Sequence, residues 1–155
     1  SVWRWMARIV HARSGFNNLR DRLAVDSYVR HQLGRRNRAT FLTELSPFPR
    51  SDLMDERWIR LLSRDERMFE KLVASRTEKL MALLEESRPQ LVICYGWKHK
   101  QKFQNLFRTL NWKTVLPKVT MSENGQCLVL PFLGNGQMNF TLFEALVERR
   151  LFGRA

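Results

Sequence analysis

At 155 residues the chain has the length of one compact domain, and its 44% apolar and 27% charged residues exclude wholesale disorder. It lacks the run of about 18 apolar residues that a spanning helix needs, and Arg4 and Arg8 interrupt the apolar residues of Ser1 to His11, so neither a membrane span nor a signal peptide is expected and the location expected is cytoplasmic. Lys and Arg outnumber Asp and Glu 27 to 15, and the excess sits at the two ends, +7 over residues 1–50 and +6 over residues 91–155 against −1 between them, which makes a polyanion, nucleic acid first, the expected partner.

Trp3 to Ala12 sets Val2, Met6, Ile9 and Val10 at the spacing of an amphipathic helix, which Ser14-Gly15 breaks. Asp26 to Leu33, with Val29 and Leu33 four apart, predicts a second helix closed by Gly34. Arg35, Arg36 and Arg38 then form a basic loop. Thr40 to Leu45 is rich in β-formers and predicts a strand, and the two prolines of Ser46-Pro47-Phe48-Pro49 fix the shape of the loop after it. Ser63 and Glu66 have the spacing of a capping box for a long helix, apolar at Phe69, Leu72, Val73, Leu80, Leu83 and Leu84, that Arg88-Pro89 stops. The continuous apolar run Leu91 to Tyr95 predicts a strand covered on both faces, and Gly96 turns the chain into a helix over Trp97 to Leu110. After a strand or hairpin come a second buried strand, Cys127 to Leu130, a loop over Pro131 to Asn139, and a terminal helix with Thr141 and Glu144 as its capping box.

Alternation of this kind predicts an α/β fold, a three-layer α/β/α sandwich around a short, mainly parallel sheet, with ligands beyond the carboxyl ends of the strands. Those ends are Glu44-Leu45-Ser46-Pro47, Tyr95-Gly96-Trp97-Lys98 and Pro131 to Asn139. Cys94 and Cys127 lie inside apolar runs, where a cysteine acts as a small core residue, and His11, His31 and His99 share no ligand spacing with them, so no metal site or disulfide is expected.

In that order, with the long helix between the first two, the three segments resemble the uracil-DNA glycosylase superfamily from about Trp3 to Leu151. Phe41-Leu42-Thr43-Glu44-Leu45-Ser46-Pro47 looks like the strand and loop in which family members place a base-reading Asn, and Glu44 stands at that position. Pro89-Gln90-Leu91-Val92-Ile93-Cys94-Tyr95-Gly96 is similar to the family's buried strand before the helix that faces DNA phosphates. Leu128 to Asn139 looks like the second active-site motif, with Pro131-Phe132 where a His-Pro pair normally precedes a loop that enters the minor groove. The resemblance implies one glycosylase-like domain over residues 1–155, without the family's N-terminal strand and its first motif, a Gly-rich loop whose Asp or Asn positions water. The oxyanion-stabilising His has no counterpart either. For an active chain it implies base flipping and hydrolysis of an N-glycosidic bond in DNA, as in repair of a damaged base, with no cofactor. For an inactive one it implies a non-catalytic nucleic-acid-binding domain of the same fold.

The resemblance further implies a base pocket of Glu44, Phe132, Asn135, Gln137 and Asn139, and DNA-backbone contacts from Ser46, Arg50, Lys98 and Lys100, with DNA, single-stranded DNA included, as partner. An ionised Glu only accepts hydrogen bonds, so Glu44 suits an amino edge like that of cytosine better than uracil; alternatively it is a strand-end carboxylate paired with a local Arg. Phe132 either stacks on a base or fills the core. Asn135, Gln137 and Asn139, beside Gly134 and Gly136, either present amides to a ligand or form an ordinary loop before a helix. Lys98, Lys100 and Lys102 either meet phosphates at a helix start or form a solvated face.

Overall fold

A computed structural model describes residues 1–16, 18–43 and 66–153, so Glu44, Ser46, Arg50 and the Ser63 cap lie outside the described residues. The chain divides into two units, Ser1–Leu42 with Pro89–Ala155, and Thr43–Arg88.

In the first unit, α1 (Val2–Arg13) buries Met6 and Ile9 of its expected apolar face together with Ala7 and Arg8, and carries Arg13 in its last turn, where the helix dipole favours a cation. Helix α2 (Arg22–His31) starts four residues before the expected Asp26, because the Asp21 side chain caps it by accepting a 3.0 Å hydrogen bond from the Ala24 N–H. Asp26 is instead the acceptor of a two-pronged contact from Arg4 of α1.

The sheet of this unit has four strands in the order β1-β4-β3-β2: β1 (Val92–Tyr95), β2 (Trp112–Leu116), β3 (Val119–Ser122) and β4 (Cys127–Leu130). Only β1 and β4 are parallel, with Val92 opposite Cys127 and Tyr95 opposite Leu130. The other two pairings are antiparallel, which corrects the mainly parallel sheet expected above. The reason is the length of the connections. Parallel neighbours need a crossover of a dozen or more residues, whereas Pro117-Lys118 alone joins β2 to β3 and residues 123–126 join β3 to β4. Residues 40–43, expected to open a strand, take no strand conformation.

Proline fixes φ near −65° at Pro117 and Lys118 has φ 57°, the pattern of a type II turn. Such turns fit the twist of a hairpin poorly, and the register shifts between Thr114 and Leu116. The Val115 carbonyl there accepts from Arg149 at 3.1 Å, and Lys113 is exposed.

Alternation along the strands sorts the side chains. Leu128 and Leu130 of β4 join Val119, Met6, Ile9, Val25, Tyr28, Phe143 and Leu146 in one apolar cluster, with Ile93 and Tyr95 of β1 packed against it. Cys127 and Val129 point to the opposite face and are equally inaccessible. Helix α4 (Lys100–Leu106) follows a 3-10 turn (Trp97–His99) and ends before the expected Leu110; α5 (Phe140–Glu148) closes the unit. The cap of α5 is Asn139, whose side-chain oxygen accepts from the Leu142 N–H at 2.9 Å, rather than Thr141, and Glu144 pairs with Arg20 instead of completing a capping box.

In the second unit, α3 (Glu66–Ser87) buries Leu80 and leaves Leu72 and Val73 exposed. It stops where Arg88 adopts φ 43° ahead of Pro89, since a residue before proline is barred from the helical region.

Candidate nucleic-acid interface

Because β1 and β4 run parallel, their carboxyl ends emerge side by side, and two of the three expected strand-end segments meet. The Gly96 N–H donates to the Leu130 carbonyl at 3.0 Å, extending the ladder by one residue. The ring of Tyr95, the last residue of β1, packs against that of Phe132, two residues beyond the end of β4, at 6.0 Å between centroids and inclined by 37°. Gly96 has φ 110°, open only to glycine at low cost, and this allows the reversal into Trp97-Lys98-His99.

The loop after β4 is held by its own side chains. Asn135 and Gly136 have φ of 51° and 72°, and the Gln137 N–H donates to the Gly134 carbonyl at 3.1 Å, the type I′ signature for an Asn-Gly pair. The Gln137 side-chain oxygen accepts a long 3.4 Å bond from the Phe132 N–H, and Asn139 is occupied as the cap of α5. Asn135 at the tip is exposed, while Phe132 is half-buried. A Cβ on Gly134 would stand 2.7 Å from Phe132 Cε1 and 3.2 Å from Val2 Cγ2, so only glycine lets this loop pass between Phe132 and the start of α1. Trp3, next to Val2, is 51% exposed.

Lys98 is exposed, and the Lys100 ammonium lies 5.0 Å from the centre of the Trp97 ring. That geometry holds a cation by attraction to the ring face. Helix α4 is seven residues long and has no side-chain cap.

Phe140, directly after Asn139, opens a set of arginines that sequence spacing did not reveal. The Arg8 guanidinium lies 4.9 Å from the Trp5 ring and 5.0 Å from the Phe140 ring, and Arg20 lies 4.7 Å from Phe140 while pairing with Glu144. Burial, helped by the neighbouring charge of Arg4 and opposed by Asp26, lowers the pKa of Arg8, and its Nε–H donates to the Leu19 carbonyl at 3.1 Å. The apolar period of α1 places Arg8 off the Val2, Met6 and Ile9 face, and of its two aromatic partners only Trp5 is local, Phe140 lying 132 residues further along the chain.

No family model, curated protein or solved structure matches this chain.

The strand-end surface therefore has to be judged on its chemistry. It combines backbone turns, two aromatic rings, an exposed amide and two lysines, which suits recognition of a flat, anionic ligand by stacking and charge. Leu128 to Asn139 contains no His, Asp or Glu. Among the described residues no group of three His, Cys, Asp or Glu side chains is arranged to hold a metal ion, and no helix is long and apolar enough to cross a membrane. A cleft of about 440 Å³ opens elsewhere in the unit, between the ends of α1 and α5, lined by Arg13, Ser14, Gly15, Val147, Arg150 and Phe152. Arg13 spans it, donating to the Phe152 carbonyl at 2.6 Å and to Gln90 at 2.9 Å.

Proposed function

We propose that the chain is a DNA-binding protein of the uracil-DNA glycosylase type, holding DNA at the paired carboxyl ends of β1 and β4. The observation that carries this reading is the parallel pairing of the two strands, which joins the Gly96 turn to the 131–139 loop as the resemblance requires. The charge of +6 over residues 91–155 supports an anionic partner there. A three-layer sandwich is the arrangement this reading needs. Its support is that β4 is buried on both faces, Leu128 and Leu130 on one and Cys127 and Val129 on the other, as befits a central strand with a layer on each side.

Phe132 and Asn135 are the groups of the 131–139 loop free to meet a base, the ring by stacking and the amide by donating and accepting at its edge. Lys98 and Lys100 meet the backbone. A second reading, binding without catalysis, draws support from the same loop. Pro131-Phe132 replaces the pair that would carry the oxyanion-stabilising His, and each missing electrostatic or acid–base group costs roughly 10²–10⁴-fold in rate.

Two assays test the proposal. Fluorescence anisotropy with single- and double-stranded oligonucleotides should show affinity falling steeply between low and physiological salt, and absence of binding at low salt rejects it. Incubation with uracil-containing oligonucleotides followed by alkali reads excision as strand cleavage; turnover abolished by Asn135→Ala selects the enzyme, and uncut DNA with intact binding selects the binding domain.

A further inference from the structure

The basic loop after α2 has no part in the strand-end site, and three of the four residues from Arg35 to Arg38 are arginine. Residues 27–43 contain Arg30, Arg35, Arg36 and Arg38 and no Asp or Glu. All four arginines are exposed, and among the described residues none of them forms an ion pair.

The loop is built rather than merely charged. Leu33 is buried and its N–H donates to the Tyr28 carbonyl at 3.0 Å, which anchors the loop at the end of α2. Gly34, with φ 64°, donates its N–H to the Thr40 hydroxyl at 2.9 Å. A Cβ on Gly34 would lie 2.8 Å from Leu42 Cδ1, so the two ends of the loop close on each other. Between them the Arg38 N–H donates to the Arg35 carbonyl at 3.2 Å and Asn37 takes φ 61°, a tight turn. Arg35 itself donates to the Arg30 carbonyl at 3.1 Å. What this closure displays is Arg36, Arg38 and Phe41, the last of which is 70% exposed.

An exposed aromatic ring within five residues of two exposed guanidinium groups, on a loop whose ends close on each other, offers the two parts needed for an unpaired nucleotide strand. Guanidinium groups match phosphate oxygens by paired N–H donors, and a ring face stacks on any base that is not already stacked in a duplex. We propose that residues 34–42 form a second contact for nucleic acid, specific to single strands, in which Arg36 and Arg38 bind backbone phosphates and Phe41 stacks on a base. The choice of DNA over RNA rests on the reading under Proposed function; the chemistry of the loop does not depend on the strand-end site.

The test uses the full chain and a labelled oligothymidine, a matched DNA duplex, and vesicles of phosphatidylserine with phosphatidylcholine. The double variant Arg36→Ala with Arg38→Ala should flatten the logarithmic salt dependence of single-strand binding by about 1.4, the value for two phosphates. Phe41→Ala should weaken single-strand binding roughly 5- to 150-fold while leaving duplex affinity unchanged. These side chains are solvent-facing, and an unchanged thermal midpoint of each variant confirms that folding is intact. Loop variants that bind oligothymidine like the parent overturn the proposal, and so does a Phe41→Ala loss that is equal on duplex, or a loss of vesicle binding with oligonucleotide binding untouched. The strand-end reading separates through Lys98→Ala with Lys100→Ala. If that variant alone loses affinity, the loop proposal fails and the DNA reading stands. If the loop variants alone lose affinity, the loop is upheld and the strand-end site falls. A parent protein that binds no oligonucleotide at low salt overturns both.

Discussion

The Arg4 guanidinium grips both carboxylate oxygens of Asp26, Nε to Oδ1 at 2.6 Å and Nη2 to Oδ2 at 3.0 Å, tying the start of α1 to the middle of α2. The hydrogen bond from Arg4 is the main cause that holds the Asp26 carboxyl below its ordinary value of 3.8, with Arg22 and Arg30 adding to it. A carboxyl lowered on folding stabilises the native state above its unfolded pKa, and that contribution is lost as pH falls through the folded value. Asp26→Asn should lower the thermal midpoint at pH 7 and shrink the gap between variant and parent toward pH 2, measured by circular dichroism across the acid range.

His11 predicts a second pH effect at a different place on the scale. Its ring packs between Phe16 at 4.9 Å and Tyr28 at 5.1 Å, and its buried Nδ1 has no hydrogen-bond partner. Burial lowers its pKa from the ordinary 6.5, against a weaker upward pull from Asp21. The neutral ring is the native form, so its contribution is complete above about pH 6.5 and declines as pH falls through the lower folded value. Titration followed by the ring proton signals should place His11 below 6.5, and His11→Phe should flatten stability between pH 7 and 5.

Phe143 is fully buried, with Trp5 at 5.5 Å and Phe152 at 5.9 Å between ring centres. Phe143→Ala leaves a cavity that these rings cannot fill, and denaturant unfolding should show a loss of about 3–5 kcal/mol.

Asn139 separates a structural role from a reading role. As the cap of α5 it contributes about 1 kcal/mol, which Asn139→Ala should remove and Asn139→Asp should largely keep. Equal DNA affinity in both variants, measured well below their unfolding temperatures, is the outcome expected of a cap. A drop in affinity specific to Asn139→Asp would instead make this amide a base-contacting group.

Both thiols should be inert in the folded chain. Cys94 and Cys127 are buried and free, and burial pushes each up to about 12, with the charge of Cys127 adding to the effect on Cys94. Reaction with a thiol reagent at pH 8 should be slow and should reach two thiols per chain only on addition of denaturant.

What was legible in the chain beforehand follows the range of the interaction concerned. The helical spacing of Val2, Met6 and Ile9 and the apolar runs at 91–95 and 127–130 are local patterns and form the helix and strands expected of them; β4 is buried throughout, whereas β1, at the edge of the sheet, buries only Cys94 and leaves Val92, Ile93 and Tyr95 half-buried rather than covered on both faces. The start of α2 lies before the expected Asp26 because the cap is Asp21, while Asp26 pairs with Arg4, 22 residues away, which no local spacing encodes. The sheet is mostly antiparallel rather than mainly parallel for a related reason: alternation of helices and strands suggests crossovers, but the two-residue link Pro117-Lys118 leaves only an antiparallel return. In the 131–139 loop, sequence spacing could not say that Gln137 and Asn139 accept hydrogen bonds from the backbone N–H groups of Phe132 and Leu142. Tyr95 against Phe132 required the parallel register of β1 and β4, which no local pattern encodes. The expectations on Glu44, Ser46 and Arg50 fall outside the described residues.

The irregularity in β2 has a consequence for how copies of this chain meet at high concentration. An outermost strand offers free amides and carbonyls to any passing strand, and straight, apolar edges recruit one another into fibrils. Here β2 is one of the two outermost described strands, and its register shift, its exposed Lys113 and the capture of the Val115 carbonyl by Arg149 each remove part of the template on that side. A second molecule seeking to lengthen the sheet at β2 would meet a kinked ladder, a like charge and an acceptor already taken, so this edge is shaped against stacking of the protein on itself.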